Sequence, residues 1–136
     1  LLFVNLSVSN DKASYYDNIS QFFSDAKDYS VLKGKTVGVY KTFNSLEAYE
    51  VVDGKKFKSL ITNKSILNSI DFEDIYFKNL SGKEYVLTKK TYDFPLLIFF
   101  PSGLNSGGEF IMNNSGLNTS IKILINGEIN INEIKQ

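Results

Sequence analysis

Ala26-Lys27-Asp28-Tyr29-Ser30-Val31-Leu32-Lys33-Gly34-Lys35-Thr36-Val37-Gly38-Val39-Tyr40-Lys41 is the passage on which the fold turns, because the period of the apolar residues changes inside it. Upstream, Leu1, Val4, Val8, Tyr15, Ile19, Phe22, Ala26 and Tyr29 recur at steps of three, four or seven, which lays one apolar stripe along a helix. Asn10, Asp11, Lys12, Asp17, Asn18, Gln21, Asp25, Lys27 and Asp28 fill the other faces. Lys33 in the last turn and Gly34 just beyond it are helix-stop residues. From Thr36 to Lys41 the pattern alternates, as a strand does. The sequence therefore predicts an α+β fold: a long N-terminal helix, residues 1–33, packed by its stripe on antiparallel sheet formed by a β-rich part, residues 35–136. Two small sheets are expected.

Turn chemistry divides the β-rich part. Leu46 to Val52 ends at Asp53-Gly54, a dipeptide suited to a type I′ hairpin, and Lys56 to Ile61 returns. Asn63-Lys64-Ser65 breaks the pattern, Ile66 to Ile70 fits a strand or a short helical turn, and Asp71 to Phe77 mixes its spacing. Ser81-Gly82 turns before Glu84 to Thr88. Pro95-Leu96-Leu97-Ile98-Phe99-Phe100-Pro101 is apolar between two prolines and reads as a strand buried on both faces. Phe110-Ile111-Met112 is a short strand ended by Asn113-Asn114-Ser115-Gly116. Ser120 to Ile125 and Glu128 to Ile134 alternate on either side of Asn126-Gly127, the strongest hairpin signal in the chain. Without a repeat, a linker or a low-complexity block, residues 1–136 are read as one domain.

Composition limits the chemistry. The 136 residues are 43% hydrophobic, enough to bury one ordinary core. Lysines supply all 15 basic charges and are balanced by 15 acidic residues, so no dominant nucleic-acid or anionic-membrane surface is expected. The chain has neither Cys nor His, which removes thiol nucleophiles, Cys/His metal sites and the commonest general base. The apolar start Leu1-Leu2-Phe3-Val4-Asn5-Leu6 falls short of the roughly 20 residues that span a bilayer. It is expected either to be the remnant of a membrane helix from a longer protein or to pack on the domain.

The remaining candidates are weighed against plain structural roles. Asp71, Glu73 and Asp74 are the densest carboxylate cluster, and paired carboxylates can hold Ca²⁺ or do glycosidase acid–base work. The EF-hand spacing is absent, so a solvated acidic edge is the expectation. The segment Gly103 to Gly108 is glycine-rich but leads into a strand, whereas phosphate-cradling loops draw their affinity from a following helix. Lys55, Lys56 and Lys58 beside Phe57, and Lys89 and Lys90 beside Tyr92, have the lysine–aromatic mixture of single-strand binders, without arginine. Asn63-Lys64-Ser65 and Asn118-Thr119-Ser120 are glycosylation triplets of the kind an Asn-rich chain produces by chance. No serine has a His partner or a nucleophile elbow. No catalytic, cofactor-binding or metal-binding residue is assigned, no cofactor is expected, and an enzyme is the least supported class.

The order of elements resembles the type IV pilin-like proteins, in particular the GspH/FimT group of minor pseudopilins and minor pilins. Three passages carry the likeness. They are Ala26 to Val39 at the helix–strand junction, Tyr49-Glu50-Val51-Val52-Asp53-Gly54-Lys55 at the mid-chain hairpin, and a C-terminal run. That run comprises Ile98-Phe99-Phe100-Pro101-Ser102-Gly103, Phe110-Ile111-Met112 and Ile123-Leu124-Ile125-Asn126-Gly127-Glu128-Ile129-Asn130-Ile131. Position 5 is Asn5, where the family's N-methylated helix has glutamate, and the C-terminal cysteine pair of major pilins is absent. The resemblance implies a structural minor subunit of a type II secretion pseudopilus or type IV pilus. Its partners would be other pilin-like subunits of the same filament and the inner membrane, reached through a further N-terminal helix, with the domain periplasmic or extracellular. Neither nucleic acid nor a small-molecule substrate is expected. A β-rich carbohydrate- or lipid-binding module and a DNA-binding minor pilin for natural transformation are the alternatives.

Because no ligand set stands out, the melting temperature should be the same with and without excess EDTA. A fall in EDTA that Ca²⁺ restores would redirect attention to Asp71, Glu73 and Asp74.

Overall fold

The computed structural model describes residues 2–43, 45–59, 74–114 and 116–135, with side-chain packing defined on the helix over residues 17–33. Helix α1 is Leu2–Lys33. Nine strands follow: β1 Val37–Lys41, β2 Leu46–Val52, β3 Lys55–Ser59, β4 Asp74–Lys78, β5 Glu84–Val86, β6 Leu97–Phe99, β7 Gly108–Asn114, β8 Leu117–Ile123 and β9 Ile129–Lys135. They form a four-stranded sheet of order β3-β2-β1-β6 and a five-stranded sheet of order β5-β4-β7-β8-β9. Every pairing is antiparallel. The architecture is α+β, one helix with two antiparallel sheets, as the sequence predicts.

The helix ends where Gly34 takes φ 65° and the Lys35 N–H returns to the Ser30 carbonyl at 3.1 Å, a Schellman closure that satisfies one of the orphaned last-turn carbonyls. Its buried residues are Ile19, Phe22, Phe23, Ala26 and Ser30. The predicted stripe is thus widened by Phe23 and Ser30, while Tyr29 is half-buried at its edge. A helix lying across two sheets buries a face broader than a single i, i+3, i+4 line. The stripe positions Leu1, Val4, Val8 and Tyr15 lie outside the described side chains.

The core is one cluster. Val37, Val39, Leu46, Ala48, Leu97 and Phe99 come from the four-stranded sheet, and Ile75, Phe77, Phe110, Met112, Ile121 and Ile123 from the five-stranded one. Alternation along the strands sends these residues inward. Directly opposed residues share a face, so Phe77, Phe110, Ile121 and Ile131 make one row across four strands. Gly108 begins β7 at φ 152°, and a Cβ there would lie 2.3 Å from Phe77 Cζ. The aromatic row therefore needs a residue without a side chain at this corner.

Turn signals hold up where the chemistry is strongest. Asp53 and Gly54 both have positive φ, 52° and 76°, as a type I′ turn requires, and join β2 to β3. At the second hairpin the Gly127 N–H bonds the Leu124 carbonyl at 2.8 Å, and Asn126 Oδ1 accepts the Glu128 N–H. Three readings need correction. Leu97–Phe99 is an edge strand of the four-stranded sheet with Ile98 only half-buried and Phe100 exposed, so this run is not buried on both faces. Asn113 and Asn114 continue β7 instead of ending it, pairing with Asn118 and Leu117. The strand predicted from Glu84 to Thr88 stops at Val86, and Thr88 Oγ1 instead accepts the Ile75 N–H. The breaks and strands assigned to residues 60–73 lie outside the described residues.

Truncating Phe22, which is 3% exposed, to Ala should cost about 2–5 kcal/mol, because the lost transfer energy is joined by a cavity. Chemical denaturation reads this directly. An unchanged midpoint would mean that the helix stripe is not the main core contact.

Candidate interaction surface

The sequence candidates disperse in space. Asp74 is exposed at the start of β4, and Asp71 and Glu73 lie outside the described residues. Among the described residues, no group of three or more Asp and Glu is placed to hold a metal ion. The segment 103–108 joins β6 to β7 and leads into a strand. It is shaped by a turn in which the Gly103 N–H bonds the Phe100 carbonyl at 3.0 Å. Lys55, Lys56, Phe57 and Lys58 are all exposed on edge strand β3, where lysines discourage strand addition. Lys56 Nζ sits 4.6 Å and 4.8 Å from the Tyr40 and Tyr49 ring centroids, so its charge is already placed over aromatic faces. Asn118-Thr119-Ser120 lies inside β8 with Thr119 buried, a poor setting for a glycosylation acceptor.

Polar contacts pin the end of the helix to the four-stranded sheet. Tyr29 Oη donates to Glu50 Oε1 on β2, and that bond raises the Tyr29 pKa. Ser30, fully buried, has its single Oγ–H within reach of two carbonyls, of Lys35 at 2.6 Å and Phe99 at 3.1 Å. Buried Lys41 presents its ammonium to three carbonyls, of Thr42 at 2.5 Å, Phe43 at 3.2 Å and Lys90 at 3.0 Å. It acts as a built-in cation tying the β1–β2 connection to the segment before β6, and burial lowers its pKa. The sequence places Tyr29 on the apolar stripe but gives Ser30, Lys41 and Glu50 no polar role, since nothing local announces a lysine buried by a segment 49 residues away.

Tyr85, Tyr92 and Phe94 form an aromatic trio with ring centroids 5.2–5.7 Å apart. Their tilted and edge-on contacts turn the rings on one another, and Lys83 covers Tyr85 at 5.2 Å. The open, parallel-facing ring platform that a sugar stacks on is therefore not built by this trio.

Phe43, Phe57, Val86 and Phe94 are exposed at scattered positions, but several other exposed apolar side chains gather at one pole. Antiparallel pairing brings the connections after α1, β2, β4, β6 and β8 to the end of the domain where the helix stops. Leu32 (80% exposed), Leu80 (60%), Leu104 (50%) and Ile125 (47%) lie on these connections or beside them. Asn105 fastens two of them: its backbone N–H bonds the Ile125 carbonyl at 3.0 Å and its Nδ2 the Leu124 carbonyl at 2.8 Å. Its Oδ1 accepts the Gly107 N–H at 2.7 Å. Between them runs a groove of about 390 Å³ lined by Leu80, Leu104, Ile125 and their neighbours, with Lys122 at its side. Lys27 Nζ reaches the Asn126 carbonyl at the same place, 3.1 Å away.

No family model matches the sequence, and no curated protein matches it either. Solved structures match in fold. Two structures of the minor pseudopilin EpsH from the type 2 secretion system of Vibrio cholerae superpose with TM-scores of 0.62 and 0.63, both at 15% identity. The first covers 89% of this chain and 94% of EpsH; the second covers 92% and 97%. The pseudopilin likeness carried by the sequence passages is therefore met at the level of the fold.

The tyrosine contacts have an alkaline signature. Tyr49 donates to Glu47 Oε2 at 2.5 Å, and this bond together with burial and the nearby charge pushes its pKa up to about 12. Unfolded tyrosine ionises near pH 10. The folded state therefore holds the proton more tightly, and the contribution, complete below pH 10, is lost as pH rises towards 12. Tyr29 acts in the same direction. Lys41, with a lowered pKa, has the opposite sign, but its effect ends once unfolded lysine is neutral above 10.5. The melting temperature should fall between pH 10 and 12, less steeply in Tyr49→Phe. An identical fall in that variant would remove Tyr49 as its source.

Proposed function

We propose that this chain is the globular part of a minor subunit of a type II secretion pseudopilus and that its task is assembly by packing, without turnover. One observation carries the reading. The likeness to EpsH runs over nine-tenths of this chain and nearly all of that one, so it concerns the domain as a whole. The residues are consistent with it. Sequence and structure offer a well-pinned helix, two sheets and an apolar pole, and the Asp74 and lysine candidates do not converge on a reactive centre. The subunit would be a single domain held at the inner membrane by an apolar continuation of α1, then inserted into the filament with that helix in the filament core. Among the described residues no helix is long and apolar enough to cross a membrane.

The test is to measure binding of this chain to the soluble domains of the same organism's other pilin-like proteins, beside a glycan, lipid and DNA screen. Binding to a sister domain with a blank ligand screen is expected. A micromolar sugar, lipid or DNA ligand with no pilin-like partner would contradict the reading.

A further inference from the structure

We propose that the apolar pole at the C-terminal end of α1 is the docking surface for a neighbouring filament subunit, and that the segment seated there carries a large apolar side chain beside a carboxylate. The inference rests on the filament reading above and specifies the partner's chemistry.

Two observations support it. The first is position. α1 runs toward this pole, so its N-terminal end, where the membrane-anchoring helix would continue, points the opposite way. In a filament of subunits with parallel helices, this pole faces the subunit farther from the membrane. Val31 and Leu32 on the last helical turn, Leu104 and Ile125 are all 44–80% exposed at this end. Val31 lies beside the segment that carries Leu104, since a Cβ on Gly103 would lie 3.8 Å from Val31 Cγ2, and the Asn105 N–H ties that segment to the Ile125 carbonyl. An exposed apolar cluster of this kind marks an interaction site.

The second observation is charge. The groove is apolar apart from Lys122 and Asn126, and no carboxylate lines it. Lys27 stands over Asn126, and Lys33 and Lys35 flank the helix end. Lysines around an apolar centre match a partner whose apolar anchor is flanked by Asp or Glu, with rim charges guiding encounter and the buried anchor supplying affinity. The groove is also pre-formed. Asn105 satisfies three backbone groups of its walls, so little ordering is required when a partner binds.

The test uses the sister pilin-like domain that binds this chain, with calorimetric affinities for wild type and three variants: Leu104→Asp, Lys122→Glu and, on edge strand β3, Phe57→Asp. Circular dichroism and melting temperature check that each variant folds. Leu104→Asp and Lys122→Glu should each weaken binding about tenfold or more, as loss of an anchor or a steering charge does, and Phe57→Asp should leave it unchanged. Wild-type affinity should also fall with added salt, with a shallower slope in Lys122→Glu. If a sister domain binds but Leu104→Asp and Lys122→Glu bind like wild type, the docking surface is wrong while the filament reading stands. If no sister domain binds, both fail.

Discussion

Phe23 of the helix stacks on Phe110 of β7 at 5.8 Å and 28°, while Phe22 meets Phe23 edge-on at 5.2 Å and Phe77 leans on Phe110 at 4.8 Å. Through these rings the helix, which touches β1 and β6 of the four-stranded sheet, also reaches the five-stranded sheet. The two sheets share no paired strands. What joins them is this aromatic contact together with the connections on either side of β6. On one side the Leu87 N–H bonds Ile75 of β4 at 2.8 Å and the Tyr92 N–H bonds Lys41 of β1 at 3.2 Å. On the other, the Ser106 N–H bonds Ile98 at 2.9 Å and the Asn105 N–H bonds Ile125 at 3.0 Å. Aromatic burial supplies the stabilisation, and these hydrogen bonds fix the register.

Much of this was legible beforehand because the signals were local. Gly34 ends the helix, Asp53-Gly54 closes one hairpin and Asn126-Gly127 the other; each works through the φ values or side-chain bonds of a few adjacent residues. The run from Leu96 to Phe100 failed as a guide because apolar composition does not say which strand is the edge. Its outer side is left half-covered by a topology that only β1 determines. Asn113 and Asn114 look like turn residues, yet pairing with β8 carries them into the strand, tertiary context overriding local preference. Phe23 was hidden by the assumption of a narrow stripe.

The interaction surface was the least legible part. Leu32, Leu80, Leu104 and Ile125 are far apart in sequence and each resembles an ordinary loop or terminal residue. Only antiparallel pairing brings their connections to one pole. Lys41 and Glu50 were equally invisible, for a charge buried against distant carbonyls or a distant tyrosine leaves no periodic trace. The helix–strand junction, by contrast, is written continuously from Ala26 to Lys41. The pseudopilin resemblance rested on that junction, the mid-chain hairpin and the C-terminal strands, which the fold contains in that order, with Leu97–Phe99 as an edge strand.

The claim on which everything else depends is that the helix makes one cooperative core of two unpaired sheets. Native-state hydrogen exchange tests it most directly, comparing the amides of Val39 on β1, Phe110 on β7 and Phe23 on α1. The account predicts that all three open with the same free energy, that of global unfolding, and that Phe23→Ala lowers all three together. If the five-stranded sheet kept its protection while β1 and the helix exchanged separately, the two sheets would be independent units and the account would be wrong.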